Sequence, residues 1–210
     1  MAKRGATKKR IVDGARDAFN ELRYGNVTTA SLADRIGMSE GNLWYHFQTK
    51  RDLLAAIQGD FAEDTRATLD AVSPLEDPVQ SYCDLLLAWR DLFSRYLFVF
   101  RDRGEYGHHS PDMIAAFPAL YSALESKITE VFDGLIRKRK LAVDPQRVPD
   151  LVTNAILVTR YYFEFQEERF AATNRPAARS EEAMLRHITL FDGCLDTEVE
   201  QVVRRALRSK

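Results

Sequence analysis

Asn42, Tyr45, His46 and Lys50 stand within nine residues of one another, and each carries a group able to hydrogen-bond a phosphate oxygen or a base edge. That is the chemistry of recognition. Turnover would need other sets, and the chain shows no nucleophile–base–acid constellation, no glycine-rich phosphate loop and no metal-ligand spacing. Recognition residues must share one side of a rigid element. The surrounding stretch TTASLADRIGMSEGNLWYHFQTKRDL, residues 28–53, predicts two helices that provide it. Thr28 or Thr29 offers a hydroxyl cap for the first, in which Leu32, Ala33 and Ile36 recur at helical spacing. Gly37 suits the left-handed position that ends a helix. Ser39 caps the second, where Leu43 and Phe47 lie i, i+4 on the inward face. Two short helices joined by a tight glycine-containing turn form a helix-turn-helix, the geometry that presents a recognition helix to a DNA major groove.

The net charge of −1 over 210 residues conceals an asymmetry. Residues 1–53 carry ten Lys and Arg against six Asp and Glu, a net +4, while the remainder carries twenty against twenty-five, a net −5. A basic front end joined to an acidic body implies that only the front end meets a polyanion. Hydrophobic residues at 45% and charged residues at 29% suit a soluble globular chain long enough for one large domain or two modest ones. Cys83 and Cys194 lack metal-ligand spacing and read as reduced core residues. The basic N-terminus is not followed by an apolar segment of signal-peptide type, and the apolar run Tyr96–Phe100 is too short to cross a bilayer. The expected location is therefore cytoplasmic and nucleoid-associated, with no membrane contact. No cofactor or metal is implied.

Apolar periodicity predicts an all-α chain. A first helix spans about 7–23, with Ile11, Ala15, Phe19 and Leu22 as its stripe, and Tyr24-Gly25-Asn26 stops it. After the helix pair, a fourth helix begins near Lys50 and continues to Leu69, before Ser73-Pro74. We place a domain boundary inside it, giving a helix-turn-helix domain at 1–53 and a helical body at 54–210. That helix would be the only covalent link between them. In the body, helices are expected over about 78–103, 116–140, 148–173, 180–195 and 197–208, with a loop at 104–111.

The first third of the chain resembles the DNA-binding domain of the TetR/AcrR family of bacterial transcriptional repressors. The resemblance is carried by Ile11, Ala15 and Phe19, by Thr28-Thr29, Leu32-Ala33 and Gly37-Met38-Ser39, and by the block Gly41 to Phe47 followed by Lys50 and Leu53-Leu54. It implies that Thr28 and Thr29 cap a helix and touch phosphates. Ser39, Tyr45, His46 and Lys50 would clamp the DNA backbone, while Gly41, Asn42 and Trp44 stand where relatives approach base edges. Glu40 departs from the Lys or Arg common there. Its carboxylate could accept from cytosine N4, or complement the dipole of the first turn, and the second reading is preferred. Trp44 could equally pack under the first helix.

Beyond residue 55 the resemblance is architectural and implies a helical ligand-binding and dimerisation bundle. The body is rich in aromatics, and the plain reading of each is core. Taken together, Tyr82, Trp89, Phe93, Tyr96, Phe117, Tyr121, Arg160 and Tyr162 are candidates for an effector pocket lined by rings with a few polar tips. Arg160 interrupts an apolar run; an ion pair with Glu164 or Glu167 is the first explanation, an anchor for an acidic effector the second. His108-His109 in the 104–111 loop read as part of a loop guarding the pocket mouth rather than a metal site. Residues of about 148–173 and 180–195 would form a homodimer seam, with Ala183 and Gly193 allowing close approach. The expected protein is a homodimeric, ligand-responsive regulator that binds a pseudo-palindromic double-stranded DNA operator and is released by a small apolar or amphipathic effector. An effector-independent DNA binder whose body meets a protein partner is the alternative, and an enzyme with a helical catalytic domain a more distant one.

Overall fold

The computed structural model describes residues 2–72, 77–170 and 180–208. Twelve α-helices occur among them: α1 (Ala2–Leu22), α2 (Thr29–Ile36), α3 (Glu40–His46), α4 (Lys50–Ala71), α5 (Pro78–Arg95), α6 (Leu97–Arg101), α7 (Arg103–Tyr106), α8 (Pro111–Ala115), α9 (Phe117–Arg137), α10 (Val148–Phe170), α11 (Ser180–Ile188) and α12 (Thr197–Arg208). The all-α expectation holds. The stop signal Ser73-Pro74 and the end of the expected 148–173 helix, at 171–173, lie outside the described residues.

Packing divides the chain into two compact units, residues 1–65 with 95–118, and residues 66–94 with 119–210. The chain passes between these units three times. The expected helix over 78–103 is also interrupted. It ends at Arg95, and Tyr96 leaves helical geometry (φ −123°, ψ 33°) before the short turns α6 to α8 begin. The apolar run that suggested continuity, Phe98-Val99-Phe100, is fully buried in the first unit instead.

In the first unit, α1 places Ile11, Ala15 and Phe19 in the core as its spacing requires. Phe19 meets Tyr24 and Phe98 edge-on, at centroid distances of 5.1 and 5.2 Å. In the second unit, Phe132 packs edge-on against Phe191 at 5.2 Å, and Phe93 stacks on Phe163 at 5.1 Å. The strongly amphipathic α12 buries Val199, Val203 and Leu207 at i, i+4, i+8. An antiparallel bridge between Leu141 and Leu195 ties the loop after α9 to the turn before α12. No described helix is long and apolar enough to cross a membrane.

Candidate nucleic-acid interface

The helix-turn-helix is built from its caps. Thr28 is the cap of α2: its Oγ1 accepts from Ser31 N at 3.1 Å, and Ser31 Oγ accepts from Thr28 N at 3.0 Å. The box leaves Thr29 as the first helical residue, so Thr28 alone caps. Gly37 ends α2 at φ 71°, ψ 46°, where a Cβ would be strained. Met38 N then donates to Ala33 O and Gly37 N to Asp34 O, satisfying carbonyls that the helix end leaves open. Ser39 Oγ accepts from Asn42 N at 3.3 Å and starts α3.

Leu43 and Phe47 anchor α3 in the core. Its other side faces outward: Glu40, Gly41 and Asn42 are exposed, Trp44 is 39% exposed and Tyr45 66%. Trp44 is therefore not enclosed in the core. No heavy atom lies within 4 Å of a Cβ built on Gly41, so the helix N-terminus is open to close approach. His46 is half-buried, edge-on to Tyr45 at 5.2 Å, with its Nδ1 enclosed and without a hydrogen-bond partner. Glu40 sits in the first turn of α3, where its charge complements the helix dipole.

Lys50 has a different setting. Its ammonium donates to Tyr24 O and lies 3.8 Å from the Tyr24 ring centroid and 5.4 Å from that of Phe19. Burial lowers its pKa, and the carboxylates of Glu105 and Asp102 oppose that shift. The sequence assigns neither acid a part in the helix-turn-helix. Asp102, 1% exposed, accepts from Tyr24 N at 2.8 Å and from Arg101 Nε at 2.6 Å. Glu105 accepts from Gly25 N at 2.6 Å. Arg101 in turn donates to Asn20 O and Phe19 O, both at 3.0 Å, supplying cationic donors to the last turn of α1. His109 is drawn to the same turn: its Nδ1 lies 3.0 Å from the Tyr24 hydroxyl. The turn between α1 and α2 is thus fastened by side chains some eighty positions away in sequence. The one hint in the sequence was an acid beside an arginine at the end of the apolar run Phe98-Val99-Phe100-Arg101-Asp102.

The eight residues expected to line an effector pocket separate. Tyr96 and Phe117 belong to the first unit, where Tyr96 donates to Asp64 Oδ2 at 2.6 Å and Phe117 packs against Phe100 at 6.2 Å. In the second unit, Tyr82 and Trp89 line a cavity of about 20 Å³, while Phe93 stacks on Phe163. Arg160 pairs with Glu164, as its spacing predicted, and rests 4.8 Å from the Tyr161 ring centroid. Tyr121 takes part in the Arg160 interactions, and Tyr162 donates to Glu182 at 2.9 Å. The cavity also holds a residue that the sequence did not single out, His187.

A capped helix pair with an exposed outer side, carried on an all-α body, is the architecture of a class: helical DNA-binding regulators. The family follows from comparison. Residues 11–57 match the family model for bacterial regulatory proteins of the tetR family, and residues 60–203 match that for the TetR bacterial transcriptional repressor. The chain belongs to the TetR family and is a DNA-binding transcriptional regulator. It is 28% identical over 180 residues to the HTH-type transcriptional repressor Rv1474c of Mycobacterium tuberculosis, covering 72% of this chain and 93% of that one. Among solved structures, a TetR-family regulator from Marinobacter aquaeolei shares the fold with TM-score 0.76 at 21% identity, covering 97% of this chain and 99% of the other. CprB of Streptomyces coelicolor, solved with its operator sequence, shares it with TM-score 0.61 at 16% identity, over 97% and 95% of the two chains.

Proposed function

We propose that this regulator is a homodimeric repressor that leaves an inverted-repeat operator when a small apolar or amphipathic molecule binds its helical body. The observation that carries the reading is the outward row Glu40-Gly41-Asn42 with Trp44 and Tyr45, on a helix whose other side is held in the core by Leu43 and Phe47. Residues 1–53 act as the reading head and residues 54–210 as the body. Gly41, Asn42 and Trp44 meet base edges, while Thr28, Thr29, Ser39, Tyr45, His46 and Lys50 meet phosphates.

One recognition helix reads too few base pairs for useful specificity, so a two-fold copy doubles the site. An apolar row on α10 supports that copy: Leu157, Tyr161 and Phe165, spaced i, i+4, i+8, are each about half exposed. Single exposed apolar residues are ordinary, whereas an aligned row suits helix–helix contact with a symmetry mate. Ala183 takes no part in the seam surface, being fully buried in its own protomer, and Gly193 serves a left-handed turn at φ 80°. The protein acts in the cytoplasm, at the nucleoid, by binding rather than by turnover. The effector must bind the DNA-incompetent arrangement more tightly than the competent one, or it shifts nothing.

The small size of the cavity beside Tyr82 and Trp89 favours a second reading, an effector-independent DNA binder whose body meets a protein partner. One experiment separates them. A gel shift with DNA flanking the protein's own gene, repeated against a small-molecule panel, should show a retarded band that some compound abolishes. Asn42→Ala should alter base preference at one position per half-site in a selection from random duplexes; recovery of the wild-type motif would count against base reading by Asn42.

A further inference from the structure

Where Tyr82 of α5 meets His187 of α11, the core of the second unit is not closed. The cavity there is walled by these two together with Trp89, Ile128, Phe132 and Thr159, and none of its lining residues carries a charge. At about 20 Å³ it admits a water-sized group, so anything larger enters only as its apolar walls part. Thr159 Oγ1 is already engaged, donating to Ala155 O at 2.9 Å. The Tyr82 hydroxyl and His187 Nε2 lie 2.8 Å apart. His187 is 3% exposed, and its Nδ1 has no hydrogen-bond partner. The Ala155 carbonyl lies near enough to the ring to raise its basicity, and Nδ1 makes no well-formed hydrogen bond to it.

Proton counting gives this site its chemistry. Burial drives the His187 pKa down to about 4 and raises that of the Tyr82 phenol, so at neutral pH the ring carries one proton and the hydroxyl keeps its own. The contact between them consumes one of the two. If Tyr82 donates, Nδ1–H is left over; if the ring donates, the phenol O–H is left over. In either tautomer one buried donor beside the cavity makes no well-formed hydrogen bond to the protein, an arrangement that favours the arrival of a better-placed acceptor.

We propose that this cavity seats the effector and selects an uncharged molecule that carries a carbonyl or ether oxygen on an apolar body, the oxygen accepting from the Tyr82–His187 pair. The proposal rests on the reading that a small molecule acts in the helical body, and adds its chemical class. A carboxylate would lose its hydration against uncharged walls with no cation to meet it. A hydrocarbon would leave the donor unsatisfied.

The test uses the full chain with Trp44→Phe, which leaves Trp89 as the sole tryptophan. Cyclohexanone, methylcyclohexane and cyclohexanecarboxylate are titrated while Trp89 emission and the thermal midpoint are followed. Cyclohexanone should bind at least tenfold more tightly than either of the others, and His187→Leu should erase its advantage over methylcyclohexane. Should His187→Leu fail to fold, Ile128→Phe fills the space and keeps the polar pair, and it should abolish the cyclohexanone response. Equal or tighter binding of the carboxylate would overturn the class while leaving an effector in the body. A cyclohexanone response unmoved by these substitutions, or no response from Trp89 to any of the three, would overturn the site. The broader reading fails separately, when no compound of a diverse panel releases DNA in the gel shift.

Discussion

Lys50 carries one charge that two tasks compete for. The family resemblance places it at a phosphate, while its ammonium lies against the Tyr24 carbonyl and ring. If it serves phosphate, Lys50→Ala should weaken specific and nonspecific DNA binding alike and flatten the salt dependence by about one unit. An unchanged salt slope with a lowered unfolding midpoint would instead assign Lys50 to holding the turn. His187 gives a prediction of a different kind. The unfolded chain takes up its proton near pH 6.5 and the folded chain near pH 4. Its contribution is therefore complete above pH 6.5 and is lost as pH falls through that window, by about 3 kcal/mol in all. Denaturant titrations from pH 7.5 to 4.5 should show a shallower decline for His187→Leu than for the wild type.

At the scale of elements, the turns decide more than the helices they join. The left-handed φ of Gly37 predicts that Gly37→Ala costs about 1 kcal/mol with little change in helicity, measurable as a shifted denaturant midpoint. Asp102 is a sterner case, because it holds the Tyr24 amide and neutralises Arg101 while fully buried. Asp102→Asn keeps the shape and removes the charge, and should cost about 2 kcal/mol. It should also weaken operator binding although Asp102 lies outside the recognition helix. Unaltered DNA affinity in a destabilised Asp102→Asn protein would confine the residue to a structural role. Periodicity revealed α1, α2 and α3 because a half-buried helix repeats its apolar residues every three to four positions. It missed the break at Tyr96, since a run buried on all sides shows no face to count from.

For the whole molecule, the exposed row on α10 sets the expected assembly. Tyr161→Asp puts a charge at the middle of that row and should convert a dimer to a monomer by sedimentation. Operator affinity should fall by more than a hundredfold, since a single half-site remains, while the circular dichroism spectrum stays that of the wild type. A Tyr161→Asp protein that still sediments as a dimer would move the seam elsewhere.

By itself the sequence determined the helix pair of residues 28–47, its Gly37 stop and its Ser39 cap, because each rests on local contacts along the chain, while the choice of Thr28 over Thr29 came from the fold. It also foresaw the Arg160–Glu164 pair, for the same reason. Only the tertiary structure joined Asp102, Glu105 and His109 to the turn at Tyr24, and paired Tyr82 with His187 across 105 positions. Partners so far apart leave no period in the sequence, and a carboxylate or imidazole takes its role from the groups that folding brings against it. The helix pair and its exposed side were therefore legible as a motif, and the supports beneath them and the chemistry of the body were not.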